Sequence, residues 1–228
     1  MQTPQARSHR RIATPCRAAG FTLIEIAIVL VIIGLLLGGV LKGQEMIESG
    51  KVKNAVNDLN GITAATSAYR DRYRRMPGDD GPAAAVQARG AIWAAIPAGN
   101  NDGVLNITAA QTFSGGGEND NYFRHLRAAG LISGNPADAG ITSLPRNAFG
   151  GLTGITTEVY GLGGAVLCMG SVPGKAAAAI DVQLDDGQPN TGSVRAMAGN
   201  GNAAPTAAAA TLPTSYSEDS QYSVCRTA

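Results

Sequence analysis

Between Phe21 and Leu41 the chain has one charged side chain, Glu25, in a run that apart from Thr22 is otherwise apolar or glycine. Upstream lie Arg7, Arg10, Arg11 and Arg17, with no acid among them. A helix rises about 1.5 Å per residue, so this run spans roughly 30 Å, the thickness of a bilayer's hydrocarbon core. The basic flank is expected to stay cytoplasmic while the residues beyond it cross. At the centre of such a helix an acidic residue costs about 2.5–3.5 kcal/mol to insert. Glu25 therefore needs a partner and is a functional residue by default. A buried carboxylate recovers its desolvation by meeting a buried ammonium, whether in its own helix or in a neighbour's.

Other chemistry is sparse. Of the two histidines, His9 precedes the apolar run and His125 stands alone on an expected helix, where packing is its ordinary use. The chain has no G-x-S-x-G, no H-E-x-x-H and no P-loop. No serine or threonine has a credible base partner, so an enzyme is not expected and no catalytic residue is assigned. The acidic turns at Asp79-Asp80, Asn101-Asp102 and Asp185-Asp186 have oxygens suited to Ca²⁺. None has EF-hand spacing, and Asp-Gly and Asn-Gly steps are ordinary turn formers, so no metal or cofactor is assigned. The cluster Arg70, Arg72, Arg74 and Arg75 could meet nucleic-acid phosphates, but Asp71, Asp79 and Asp80 lie beside it in sequence. A solvated helix end is the better reading.

The segment Gly20-Phe21-Thr22-Leu23-Ile24-Glu25, with its apolar helix, resembles the class III signal of type IV pilins and pseudopilins. The resemblance implies cleavage between Gly20 and Phe21 by a prepilin peptidase and methylation of the new Phe21 amine. It also implies that Glu25 aids assembly by facing the Phe21 amine of a neighbouring subunit. Within one helix Phe21 and Glu25 are already close, so an intramolecular pair competes. The partners implied are like subunits, the peptidase and an inner-membrane assembly platform. The implied location is the inner membrane, with the domain in the periplasm, and then a pilus or secretion pseudopilus filament. The competing reading is a signal-anchored periplasmic binding or enzymatic domain. Major pilins often carry a helix-breaking proline near the membrane exit; here no proline occurs between Pro15 and Pro77.

Cleavage would remove Cys16 and leave Cys168 and Cys225. In an oxidising periplasm these two are expected to pair, as many type IV pilins close a C-terminal disulfide loop; two buried free thiols are the alternative. The formal charge of +1 for 228 residues also changes. Subtracting the four leader arginines from 18 basic residues leaves 14 against 17 acids, a net of −3. That balance does not suggest general nucleic-acid binding.

Four segments follow: a leader at 1–20, a membrane or filament-core helix at 21–41, an amphipathic continuation at 42–76, and a globular domain at 77–228. Beyond Lys51, Val52, Val56, Leu59, Ile62, Thr66, Tyr69 and Tyr73 recur at steps of three and four, one buried helix face. Pro77-Gly78 should stop this helix, taken as Phe21 to Arg75. Further helices are expected at Gln87–Ala95, Glu118–Leu131 and Lys175–Gln183. Strands are expected at Thr156–Leu162, Ala165–Met169 and Val194–Met197. Gly199–Pro213 reads as a low-complexity surface loop. Tyr216–Cys225 is expected to return to the core. The fold class is α+β: a long N-terminal helix packed on a small, loop-rich domain with a short antiparallel sheet.

Overall fold

The structure, a computed structural model, describes residues 20–206 and 212–228. The leader arginines, His9, Cys16 and part of the expected 199–213 loop lie outside the described residues. Two compact units are present, Met1–Glu45 and Met46–Ala228.

Helix α1 runs from Leu23 to Tyr73. In the first unit its large apolar side chains from Phe21 to Leu41 are all 46–88% exposed. In the second unit Val52, Ala55, Leu59, Ile62, Ala65, Thr66 and Tyr69 are buried, while Val56 and Tyr73, expected on the same stripe, are half-buried. Lys51, Lys53, Asn54, Asp58 and Arg70 line its exposed sides. The helix ends at Tyr73, ahead of Pro77, where Arg74 turns into the left-handed region with φ 56°.

The second unit is α+β. Strands β1 (Thr153–Thr156), β2 (Val166–Pro173), β3 (Val194–Ala198) and β4 (Gln221–Thr227) form one antiparallel sheet in the order β1-β2-β4-β3. Helices α2 (Ala83–Gln87), α3 (Gly117–Ala128) and α4 (Gly174–Leu184) complete it, with short 3₁₀ turns at Ala91–Ala95, Ala109–Gln111 and Gly140–Ser143. The buried stripe of α1 shares one core with Tyr122, Phe123 and Leu126 of α3, Ile180 of α4 and Val166, Leu167 and Val224 of the sheet. Polar ties reach α1 from three elements. Tyr122 meets Thr66 by a short hydroxyl–hydroxyl bond. Arg226 donates to Asn60 at 2.6 Å, and Lys175 pairs with Glu48 at 3.3 Å.

Three expectations change. The single helix at Gln87–Ala95 is instead α2 followed by a 3₁₀ turn at Ala91–Ala95, separated by Gly90 at φ 137°. Helical backbone does not continue through that conformation. The strand expected at Thr156–Leu162 lies earlier, at Thr153–Thr156. The apolar segment Val159–Leu162 is a tight hairpin: Tyr160 and Gly161 both have positive φ, 53° and 76°, and Val159 and Leu162 exchange both backbone bonds. The return of the tail is a full strand, β4, with neighbours on both sides.

Helix α3 ends as its sequence implies. Gly130 at φ 72° allows Leu131 N–H to reach the Leu126 carbonyl at 3.0 Å and Gly130 N–H the Arg127 carbonyl at 2.9 Å, a Schellman closure. At Gly154 any Cβ would collide with the Thr112 carbonyl, so the chain around Thr112 lies directly on β1.

Cys168 and Cys225 are disulfide-bonded, face each other across β2 and β4, and are fully buried. The bond closes a loop with a sequence separation of 57 and, in the chain-entropy model, stabilises by about 4 kcal/mol. Replacing both cysteines by alanine should lower the free energy of unfolding by an amount of that order. Equilibrium urea unfolding, comparing the double variant with the oxidised protein, measures it.

Candidate processing and assembly site

Helical backbone begins at Leu23, so Gly20 and Phe21 lie outside α1, and both are exposed. Thr22 makes the transition. Its carbonyl accepts the N–H of Ile26 at 3.3 Å, the first bond of the helix. Its side-chain oxygen accepts the N–H of Glu25 at 3.3 Å. The Glu25 Oε2 in turn accepts the N–H of Thr22 and the hydroxyl of Thr22, each at 2.8 Å. This is a reciprocal capping box: a threonine at the helix cap and an acid three residues on satisfy each other's backbone donors. The sequence carries the signal for it, Thr-x-x-Glu before an apolar run, which adds Thr22 to the residues expected at this site. The structure thus places Glu25 on its own helix start.

Farther along, the apolar run gives way to an exposed Lys42–Glu45 pair at 3.0 Å. Gly34, Gly38, Gly39 and Gly43 have no neighbouring atom within 4 Å of the position a Cβ would take. Their smallness is not required by packing within this chain.

The other sequence-selected residues among those described lie in the second unit. Asp79 and Asp80 are not the solvated turn acids expected beside the arginines. Both are buried, because the chain after Met76 folds inward and uses them to bind loops. Asp79 accepts the N–H groups of Asp102 at 3.1 Å and Gly103 at 2.9 Å. Asp80 accepts Tyr69 Oη at 2.5 Å and both Arg89 nitrogens, at 2.6 and 3.1 Å. The Arg89 guanidinium lies over Tyr73 and Trp93, 4.3 and 5.0 Å from the ring centres. Burial pushes the Tyr69 hydroxyl's pKa far up, and the Asp80 carboxylate adds to the shift. Arg70, Arg72, Arg74 and Arg75 are exposed, and Arg70, Arg74 and Arg75 share a groove with Asp71, Asp79 and Glu158. Three charges of each sign there do not make a phosphate-binding surface.

His125 is fully buried and stacks on Tyr69, with ring centres 6.0 Å apart. Its Nδ1 accepts the N–H of Gly78 at 3.0 Å, and its Nε2–H donates to the Pro97 carbonyl at 2.8 Å. Both nitrogens are committed to holding loops, which leaves the ring no role as a base.

Asp185 and Asp186 come together with the buried Asp181, ligand oxygens within 4.8 Å of one another. Those oxygens already meet donors. Asp181 accepts Tyr216 Oη at 2.6 Å and Gly187 N–H at 3.2 Å; Asp186 accepts Gln188 N–H at 2.9 Å and Thr191 Oγ at 2.5 Å. Asp185 accepts the N–H of Ser193 and, at 3.0 Å, of Val194. The trio fixes the turn from α4 into β3.

The family model for a prokaryotic N-terminal methylation motif matches residues 16–41. The chain carries a type IV pilin-like class III signal. This is the signal of a prepilin-peptidase substrate, and it coincides with a helix long and apolar enough to cross a membrane. A comparison with curated proteins finds no match.

The buried His125 gives the domain a dependence on acid. Burial holds its pKa below the ordinary value, with Arg89 and Arg124 acting in the same direction and the Pro97 bond and Asp80 opposing. With the folded pKa depressed, the unfolded chain takes up the proton first as pH falls. Stability from this residue is whole above about pH 6.5 and declines as pH drops toward the folded value. Urea midpoints measured between pH 7.5 and 5 should fall more steeply for the native protein than for His125→Gln.

Proposed function

We propose that this protein is a structural subunit of a type IV pilus or of a type II secretion pseudopilus. Prepilin peptidase cuts it after Gly20, Phe21 is methylated, and the helix passes from the membrane into a filament core. The segments are a leader at 1–20, a membrane and filament-core helix at 21–41, its amphipathic continuation at 42–76 and an exported domain at 77–228. The partners are like subunits, the peptidase and the inner-membrane assembly platform.

One observation carries this reading: the methylation motif at residues 16–41 coincides with a helical segment whose large apolar side chains, from Phe21 to Leu41, are all exposed. A surface apolar on every side needs lipid or other helices around it. The open space at Gly34, Gly38, Gly39 and Gly43 supports the same reading, since small residues let helix backbones approach closely. Glu25 then exchanges its cap contacts for the Phe21 ammonium of a neighbouring subunit, which fixes the register of each incoming copy. The carboxylates of Asp181, Asp185 and Asp186 belong to a turn in this reading, and no cofactor is required.

Mass spectrometry of the N-terminal peptide from the native host tests it. The expected peptide starts at Phe21 with a methylated amine. Gly20→Arg should abolish the cut, whereas Glu25→Ala should be cut normally but enter filaments poorly. Recovery of a chain that still begins before Gly20, from cells with active peptidase, would return the domain to the anchored-protein reading.

A further inference from the structure

The capping box lies against the scissile bond, and its geometry bears on how that bond is presented. Gly20 and Phe21 are non-helical and exposed, and Thr22 sets the first helical bond. Little else in the sequence would stop the helix there. Arg17, Ala18 and Ala19 are strong helix formers, no proline lies between Pro15 and Pro77, and Gly20 alone weakens helical extension. A peptide bond inside a helix must first be unwound before a protease can attack it, and cleavage then follows the population of the open form. We propose that Thr22 is a positioning residue for processing: as the cap of α1 it holds the Gly20–Phe21 peptide outside the helix, where the peptidase can engage it.

The inference rests on the prepilin reading above and adds a residue to it. Thr22 serves through its side-chain oxygen, which accepts the Glu25 N–H; loss of the Glu25 carboxylate leaves that half of the box in place. The same box supplies two donors to Oε2 of Glu25 while the Phe21 nitrogen is still an uncharged amide. Before the cut, the acid in an apolar helix thus has partners of its own. The cut turns the Phe21 nitrogen into an ammonium, the group that a neighbouring subunit's Glu25 takes as its partner in that reading.

The test is cleavage of the full-length protein in membranes by prepilin peptidase, with kcat and KM obtained separately. The substrates are the native chain, Thr22→Ser, Thr22→Asn and Thr22→Val. Serine and asparagine cap helices; valine keeps the shape of threonine without an acceptor. The first two should be cut within about twofold of the native rate, and valine about fivefold more slowly in kcat/KM, the scale of a lost cap. Hydrogen exchange at the Phe21 and Thr22 amides of the uncut valine variant should slow by a similar factor as the helix extends backward. Native-rate cleavage of Thr22→Val overturns the proposal while leaving the processing reading intact. So does equal slowing of all three variants, which would mark contact with the peptidase instead of capping. A native chain that is not cut after Gly20 overturns both.

Discussion

Backbone groups in hydrocarbon have no water to bond to, and that constraint governs the first unit of this protein. A helix solves it for the amides from Leu23 onward, and side chains from Phe21 to Leu41 that carry no charge except Glu25 solve it for the surface. The exposed start of the helix is the place where the solution runs out, since the first turn of any helix leaves N–H groups unpaired. Thr22 and Glu25 close part of that gap with their own side chains. The only ionisable group in the apolar run is thus placed where the backbone itself lacks acceptors. The same location is where cleavage would produce a new positive charge.

The second unit answers a different need. It is rich in loops, and loops carry polar backbone that must be bonded when covered. Much of this bonding comes from α3, whose residues Asn119 to Leu126 are buried on every side. Arg124 donates to the carbonyls of Pro136 and Ala95, Asn119 to those of Gln111 and Thr112, and His125 joins Gly78 to Pro97. Asp79 and Asp80 do the same from the other side, binding the segment around Asp102 and the Arg89 guanidinium. Polar side chains that look like a solvated face in the sequence are here the fasteners of a covered one.

That reversal explains what could be read from residues alone. The stripe from Val52 to Tyr69 was legible because a three-and-four rhythm of apolar residues has one physical outcome, and the Gly130 stop because left-handed backbone favours glycine. The helix start was legible in its apolar run and its acid, but not in Thr22, since one polar residue beside an apolar run has the same signature whether it caps the helix or only borders it. Asp79 and Asp80 were misplaced since a Pro-Gly-Asp-Asp run gives the same signal whether it faces water or a loop. Thr156 to Leu162 was misread because β-branched and aromatic residues mark strands and hairpin tips alike, and only the positive φ of Tyr160 and Gly161 separates them. Strand β4 was obscured by polar neighbours such as Glu218, Asp219 and Ser220, although Tyr222 to Cys225 are all buried.

The position of β4 also orders events in time. It follows β3 in the chain, yet it lies between β2 and β3. As the chain emerges from a ribosome or a translocation pore, β2 and β3 appear first with no strand between them, each showing an open edge. The sheet is zipped shut only by residues Gln221 to Thr227, and only then can Cys168 meet its mate across the ladder. Without residues Gln221 to Thr227 the sheet lacks one of its two central strands, and the bare edges of β2 and β3 are open to pairing with other chains.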